Sequence, residues 1–371
     1  MVGHDRYRLL DELRGIAALA VLVFHIGTRG GGPSILPNGF LAVDFFFMLS
    51  GFVIAEAYEA RLAEGMSFAN FAARRLIRMA PVAMLGALIG GAYLIARAFA
   101  APGRSDPMLE VIGGNLLNLL VLPKLWYGRA TAWEMYPANG PLWSLFFEVA
   151  VNFIWAAFLA GRSTRVLCGL VAASAGLLVV LGLRFCTLDI GWQTVSLAGG
   201  FARVGFGFGT GLLLHRARGL LPQMGRGPAG FAVAALVYFL VLPLAVLAWQ
   251  LLIVLVCLPA VMLIAIASGR EAVLPGGALL GRLSYPLYGT HVPLLALTAG
   301  LMKYGGKHAG SHWAALLLVP VLLGAAWAVL VWFDEPLRAW LARHVLAPGN
   351  SPARITLQRL SGRFGRARAT V

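Results

Sequence analysis

The sequence predicts an all-α integral membrane protein with about ten transmembrane helices and with both termini in the cytoplasm. Three observations lead to this fold class. Hydrophobic residues make up 60% of the 371 residues, and charged residues make up only 12%. Several apolar runs exceed the roughly 18 residues that indicate a membrane-spanning helix. Basic residues also collect in alternate loops, as expected of a multi-pass protein.

Apolar segments between turn and charge signals give the ten predicted spans. In chain order they are 11–28, 39–58, 79–99, 141–160, 166–183, 195–214, 229–247, 249–267, 283–301 and 313–333. The block 229–267 is about twice as long as one bilayer crossing, so we divide it near Ala248-Trp249-Gln250. This assignment predicts a membrane-embedded domain at residues 1–337, followed by a basic cytoplasmic tail at residues 338–371.

The net charge of +15 indicates membrane topology rather than a nucleic-acid partner. With a cytoplasmic N-terminus, 20 of the 30 basic residues fall in inside segments and 7 in outside segments. This is the asymmetry that the positive-inside rule describes. We therefore expect a multi-pass protein of the inner (plasma) membrane, whose basic tail lies on anionic lipid headgroups. We expect no nucleic-acid partner, because the bilayer already accounts for the charge.

Arg14 and His25 both lie within the first predicted span, where ionisable residues are costly and usually functional. They are eleven residues apart, about three helical turns, so both side chains leave the helix on one face. Their separation along the axis is about 16 Å, which excludes a direct contact. The spacing predicts two sites on one path through the membrane, with Arg14 at the cytoplasmic end and His25 near the outer end.

Carboxylates accompany His25 in the outer half of the predicted membrane domain. Asp44 lies near the start of the second span and Glu148 about 10 Å into the fourth, whereas Arg203 and His291 fall nearer the midplane. A neighbouring carboxylate can orient an imidazole and stabilise the imidazolium that forms when the ring takes a proton from a hydroxyl. The alternative interpretation is a buried hydrogen-bond network that ties helices together.

A second cluster, of arginines, is predicted at the cytoplasmic end with Arg14. Arg74, Arg75 and Arg78 lie close together where the third span begins, and Arg74 and Arg78 share a helical face. Forked guanidinium donors at this spacing are suited to binding phosphate groups. The alternative is anchoring to the cytoplasmic leaflet under the positive-inside rule.

Six sequence motifs together resemble a known family. The first is Arg14 and His25 with ten residues between them. The others are Val43-Asp44-Phe45-Phe46-Phe47-Met48-Leu49-Ser50-Gly51-Phe52, Phe71-Ala72-Ala73-Arg74-Arg75-Leu76-Ile77-Arg78-Met79-Ala80-Pro81, Leu142-Trp143-Ser144-Leu145 with Glu148, Leu283-Ser284-Tyr285-Pro286-Leu287-Tyr288-Gly289-Thr290-His291, and Asp334-Glu335-Pro336. Their residues and their order resemble the acyltransferase-three family, integral membrane proteins that transfer acyl groups to hydroxyls of extracytoplasmic glycans.

The resemblance implies a donor and a role for each matching residue. Family members usually take acetyl from acetyl-CoA, so we expect acyl-CoA as a co-substrate, no permanently bound cofactor and no metal. By resemblance, His25 is the essential imidazole and Arg14 its essential partner in the donor path. Arg74, Arg75 and Arg78 are the implied contacts of the coenzyme A phosphates. We further expect catalytic support from Asp44 and Glu148, and substrate contacts from Trp143, Ser144, Arg203 and His291.

Together these expectations describe a membrane-bound O-acyltransferase. It would move an acyl group, most simply acetyl, from cytoplasmic acyl-CoA to a hydroxyl of an extracytoplasmic glycan or glycosylated acceptor, with His25 as the general base. Direct transfer and transfer through an acyl-enzyme both stay open. The outer segment 101–140 carries aromatic rings suited to stacking on sugars. These are Trp126, Tyr127, Trp133 and Tyr136.

The alternative function is a polytopic transporter or flippase-like protein that uses intramembrane charges for substrate or proton coupling. Pro286 and Pro293 flank His291 and are typical of the discontinuous helices found in transporters. Transfer of an acyl group from acetyl-CoA by the purified protein separates the two interpretations.

Overall fold

Helices account for most of the chain in the structure, which is a computed structural model. It describes residues 7–29, 36–243, 246–269, 273–304 and 317–346, and among these the side chains of 29 and 301–304 are not described. The described residues contain no β-strand, and two isolated bridges, Gly128–Ala132 and Glu134–Gln193, join loop segments. The all-α prediction is confirmed for these residues. The predicted tail lies outside them from residue 347 onward, as do residues 313–316 of the tenth predicted span.

We number thirteen helices of the described residues in chain order. The first seven are α1 (Arg8–Arg29), α2 (Ala42–Ala63), α3 (Phe68–Ala100), α4 (Met108–Leu119), α5 (Leu142–Ile154), α6 (Thr164–Phe185) and α7 (Leu197–Ala217). The remaining six are α8 (Arg226–Val241), α9 (Leu247–Leu252), α10 (Leu258–Ala267), α11 (Gly277–Tyr304), α12 (Leu318–Ala328) and α13 (Glu335–Val345). Short π-helical segments extend α5 to Leu159, join α9 to α10 and join α12 to α13.

Seven helical segments of the described residues are long and apolar enough to cross a membrane. They are Gly39–Ala63, Phe68–Ala100, Leu142–Leu159, Thr164–Phe185, Thr194–Leu220, Leu247–Ala267 and Leu318–Val345. Helices α1 and α11 have 22 and 28 residues but fall outside this set, and α8 is apolar with only 16 residues. Multiple apolar helices indicate a multi-pass membrane protein. The number ten and the cytoplasmic position of the termini stay predictions.

Two predicted boundaries are wrong, and each error has a physical reason. No turn lies at Ala248-Trp249-Gln250, because these residues belong to α9. The polar Gln250 suggested a turn, but its amide is buried and its Oε1 accepts from the backbone N–H of Leu188 at 2.7 Å. Helix α3 begins at Phe68, well before the predicted 79, with Ser67 as its N-cap accepting from the N–H of Asn70. The arginines expected at a helix start therefore lie inside a long helix.

Helices α2 and α7 pack closely because glycines lie at their contact. A Cβ atom at Gly51 of α2 would overlap with the carbonyl oxygen of Phe208, and one at Gly211 of α7 would overlap with the carbonyl oxygen of Met48. Small residues at such contacts let helix backbones approach one another in a bilayer, where van der Waals packing drives association. These glycines position α2, which carries several residues of the candidate site.

Helix α11 remains continuous through Pro286 and Pro293, so the discontinuous helix typical of transporters is not found in the described part of α11. Pro293 has no N–H, so the carbonyl of Gly289 loses its helical partner four residues later. The amide of Asn139, which is fully buried, donates to that carbonyl oxygen at 2.7 Å. This hydrogen bond ties the loop before α5 to α11 two residues from His291.

Replacement of Gly51 tests the close packing of α2 against α7. Gly51→Ala is expected to lower the free energy of unfolding by about 1–3 kcal/mol, because the added Cβ forces the two helices apart. Gly176→Ala in α6 is the matched control, since no atom lies within 4 Å of its added Cβ. Thermal unfolding in detergent micelles measures both variants. Equal midpoints for the two would contradict the packing account.

Candidate active site

A cavity of about 990 Å³ opens among α1, α2, α3, α5, α11 and α13. Six arginines line it: Arg8, Arg14, Arg75, Arg78, Arg282 and Arg338. Hydroxyl-bearing and aromatic side chains line it as well, among them Phe46, Ser50, Ser144, Ser284, Tyr285 and Tyr288. A long ligand that is anionic in one part and uncharged in another would match this lining.

Arg14 is fixed between its own helix and α11. Its Nη2 lies 2.8 Å from a carboxylate oxygen of Asp11 and donates to the carbonyl oxygen of Gly281 at 2.9 Å. Its Nε donates to the hydroxyl of Ser284 at 3.1 Å. The guanidinium is therefore held in a defined orientation at the cavity wall, with about a quarter of the side chain exposed.

Arg75 and Glu148 form an ion pair across the cavity wall, with 3.4 Å between Nη2 and Oε1. The same Oε1 accepts from the hydroxyl of Ser50 at 2.7 Å. Glu148 is predicted to lie beside His25 in an outer acid cluster, but its carboxylate is held by Arg75 and Ser50 instead. The side chain of Glu148 lies with the arginines, because α3 brings Arg75 to the same level as α5.

The other two arginines of α3 differ in their relation to the cavity. Arg78 lines it, with its guanidinium carbon 5.8 Å from the ring centroid of Tyr285. The hydroxyl of Tyr285 donates to the carbonyl oxygen of Met79, near the Pro81 position of α3. Arg74 is not among the residues that line the cavity in the described chain, so its expected role in donor binding stays a prediction.

His25 and His291 lie side by side, with 3.1 Å between Nδ1 of His25 and Nε2 of His291. Nδ1 of His291 faces the carbonyl oxygens of Leu287 and Tyr288 at 2.9 and 3.0 Å. Because carbonyl oxygens only accept, Nδ1 of His291 carries a proton, and its Nε2 is an acceptor in the neutral ring.

The same reasoning assigns the proton of His25. Its Nδ1 faces two acceptors, Nε2 of His291 and the carbonyl oxygen of Val21 at 2.9 Å. The neutral ring therefore carries its proton on Nδ1 and its lone pair on Nε2. This is the tautomer that a general base acting through Nε2 needs.

Tyr288 connects the cavity with the histidine pair and was missed in the sequence analysis. Its hydroxyl lies 2.6 Å from the hydroxyl of Ser144, and both side chains line the cavity. Its ring centroid lies 6.0 Å from that of His291. Neither His25 nor His291 is among the described residues that line the cavity. The available signal was position, because Tyr288 precedes His291 by three residues on the same helical face.

Asp44 is predicted to support His25, but its carboxylate is held by Arg203 instead. Its carboxylate forms a bidentate ion pair with Arg203, at 3.0 Å to Nε and 2.7 Å to Nη2. Both side chains are buried, and Arg203 lies 5.0 Å from the ring centroid of Trp143. The predicted substrate contacts Trp143 and Arg203 are therefore part of a closed structural unit, away from the cavity lining.

The segment 101–140, which is predicted to lie outside, presents only part of the expected aromatic surface. Tyr136 is buried and donates to the carbonyl oxygen of Val121, so its ring is not available for stacking on a sugar. Tyr127 and Trp133 are exposed and contact each other edge to face, with 5.4 Å between ring centroids. Burial lowers the pKa of Lys124 in the same segment.

Comparison with known proteins identifies the family. A family model described as an acyltransferase domain, of the acyltransferase-three type, matches residues 8–332. The chain belongs to this acyltransferase family. The resemblance inferred from six motifs is thereby confirmed. No solved structure matches the chain.

Relatives of this family member cover it in part. The Rhizobium radiobacter "Protein 2 in picA locus" is 33% identical over 187 residues, which are 49% of this chain and 97% of that protein. The "Putative peptidoglycan O-acetyltransferase YrhL" of Bacillus subtilis is 28% identical over 200 residues, 48% of this chain and 29% of that protein. Peptidoglycan O-acetyltransferase OatA of Listeria monocytogenes is 26% identical over 157 residues, 40% of this chain and 24% of that protein. The matched part is therefore less than a third of either O-acetyltransferase.

Replacement of Asp44 distinguishes a structural role from a catalytic one in this acyltransferase. Asp44→Asn removes the bidentate ion-pair partner of the buried Arg203, and we expect a loss of about 3–5 kcal/mol in the free energy of unfolding. Glu335→Gln breaks the exposed ion pair with Arg282 and is the control, with an expected loss below about 1 kcal/mol. Thermal unfolding in detergent compares the two. A stable, correctly folded Asp44→Asn protein would contradict the structural role assigned to Asp44.

Proposed function

We propose that the protein is a membrane-bound O-acyltransferase that moves an acyl group, most simply acetyl, from acyl-CoA to a hydroxyl of an extracytoplasmic glycan or glycosylated acceptor. One observation carries the proposal: a single cavity joins an arginine-lined region to the hydroxyls of Ser144 and Tyr288, next to the histidine pair. Two relatives support the reaction class: one is named a "Putative peptidoglycan O-acetyltransferase" and the other a "Peptidoglycan O-acetyltransferase".

The donor enters by the arginine-lined part of the cavity. Arg75 and Arg78 bind the phosphates of coenzyme A with forked donors, and Arg14 continues this lining along α1. The uncharged pantetheine arm extends past Ser50 toward Ser144 and Tyr288. We place the arginine-lined opening on the cytoplasmic side, because that is where acyl-CoA is found and where basic residues concentrate.

His25 acts as the general base toward the acceptor hydroxyl. Its Nε2 takes the hydroxyl proton while the oxygen attacks the thioester carbonyl, and the carbon–sulfur bond then breaks. The imidazolium that forms donates through Nδ1 to Nε2 of His291, which stabilises the added charge. The proton on Nε2 passes to the departing thiolate, so the base is regenerated. The products are the acyl ester and free coenzyme A.

Tyr288 and Ser144 complete the proposed chemistry. Their hydroxyls share a hydrogen bond, and either can instead donate to the thioester oxygen as negative charge develops there. Because neither histidine lines the cavity among the described residues, the proposal requires side chains at the inner end, such as Phe46 and Tyr288, to move when the donor binds.

Replacement of the histidines tests the mechanism in nanodiscs with radiolabelled acetyl-CoA. His25→Ala is expected to lower the rate of acetyl release and transfer by about 10²–10⁴-fold, because the general base is lost. His291→Ala is expected to lower kcat by about tenfold or more with little change in KM, since it acts on His25 and not on donor binding. His344→Ala, on the exposed face of α13, is the control. Equal rates for wild type and His25→Ala would contradict the proposed acyltransferase mechanism. Movement of the acceptor across the membrane without acyl transfer would favour the alternative transporter function.

Arg74 and Arg75 are neighbours that give a matched test of donor binding. Arg75→Ala is expected to raise KM for acetyl-CoA by about tenfold or more, because a charge-assisted hydrogen bond to phosphate contributes about 1.5–3 kcal/mol. Arg74→Ala is expected to raise it less, since Arg74 does not line the cavity in the described chain. Initial rates at varied donor concentration give both values. A larger effect of Arg74→Ala would reverse the assignment.

A further inference from the structure

Two arginines outside the predicted donor cluster also line the cavity. Arg282 lies near the start of α11 and Arg338 lies in α13. We call Arg282 and Arg338 the rim pair, because their side chains are 57% and 19% exposed, compared with 13% for Arg75. The predicted topology places both arginines in cytoplasmic segments, where basic residues are common. In the structure, however, both line the cavity.

Consecutive acidic residues bring the rim pair together. Arg282 donates from Nη2 to Oε1 of Glu335 at 2.7 Å, and Nη2 of Arg338 lies 2.8 Å from Oδ2 of Asp334. Asp334 ends the π-helical segment that begins at Val329, and Glu335 begins α13. The junction between the two helical segments thus holds the guanidinium groups of two cavity-lining arginines through consecutive residues.

The ion pair of Arg282 is one that an anionic ligand can replace. Both of its partners are exposed, and an exposed pair contributes at most about 1 kcal/mol. A phosphate offers three acceptor oxygens and more charge than one carboxylate, so the fork of Arg282 gains hydrogen bonds when phosphate displaces Glu335. Arg338 can join the same phosphate while Asp334 keeps it oriented.

Coenzyme A carries phosphate at two places. Its pyrophosphate adjoins the pantetheine arm, and its 3′-phosphate lies on the ribose, farther from the thioester. If the deeper arginines Arg75 and Arg78 bind the pyrophosphate, the next anionic group outward along the same molecule is the 3′-phosphate. We propose that the rim pair, Arg282 and Arg338, binds the ribose 3′-phosphate of the acyl donor. This inference rests on the proposed function for its ligand.

The test compares acetyl-CoA with acetyl-3′-dephospho-CoA, which lacks only this phosphate. For the wild-type protein we expect KM to be about 10–100-fold higher with the dephospho donor, with kcat little changed. Arg338→Ala and Arg282→Ala are expected to raise KM for acetyl-CoA by about tenfold each and to leave KM for the dephospho donor unchanged. Arg338→Lys, which keeps the charge, should recover part of the loss. Arg75→Ala should weaken both donors.

Glu335→Gln gives a test in the opposite direction. It releases Arg282 from its carboxylate, so KM for acetyl-CoA is expected to fall while KM for the dephospho donor stays constant. Size-exclusion profiles and thermal midpoints establish that each variant is folded. If the rim variants raise KM equally for both donors, the 3′-phosphate assignment is overturned.

Calorimetric titration of coenzyme A and 3′-dephospho-CoA into the protein in nanodiscs separates this inference from the proposed reaction. Discrimination in binding without acyl transfer would keep the rim site and overturn the proposed function. Acyl transfer with equal use of both donors would keep the proposed function and overturn the rim site. Absence of both binding and transfer would overturn the rim site and the proposed function. Nanodiscs of neutral lipid are compared with nanodiscs that contain phosphatidylglycerol. An effect of the rim variants that depends on the anionic lipid instead of the 3′-phosphate would assign the pair to lipid headgroups.

Discussion

The buried ion pair between Asp44 and Arg203 is the constraint on which the site geometry depends. A guanidinium at 0% exposure is very costly unless its donors are satisfied. Arg203 of α7 satisfies them with both oxygens of Asp44 and with the carbonyl oxygens of Phe40 and Ile190, beneath the ring of Trp143. Helices α2, α5 and α7 and two loops must therefore meet at one point. The same helices carry Phe46 and Ser50 from α2 and Ser144 from α5 to the cavity.

Local physics made part of this predictable from the sequence. The length of apolar runs gives the class of protein, and the Arg14–His25 spacing places both on one helical face. Depth along a helix, however, does not tell which neighbour a side chain faces. Asp44 and Glu148 were both assigned to His25, but tertiary packing pairs them with Arg203 and Arg75. The partner of His25 is instead His291, 266 residues later in the chain.

Proline chemistry explains why Asn139 could not be recognised in advance. The structural role of Asn139 depends on the carbonyl of Gly289, which Pro293 leaves without a helical N–H donor. Asn139 lies 150 residues earlier, in a loop, and only the fold places its amide at that carbonyl. The result bears on the site directly. The same stretch of α11 carries Tyr288 and His291, so a satisfied carbonyl at Gly289 keeps the backbone between them in place.

The charge pattern of the cavity has a consequence for turnover. Six arginines line it, but Asp11, Glu148, Asp334 and Glu335 already hold four of them in ion pairs. A phosphorylated donor therefore exchanges carboxylates for phosphates instead of meeting uncompensated charge, and its affinity is the difference between the two sets of contacts. Such a difference limits how tightly free coenzyme A is retained after the acyl group has left. Carboxylates that return to their arginines favour release of the product, which often limits the rate of an enzyme with a long, enclosed ligand.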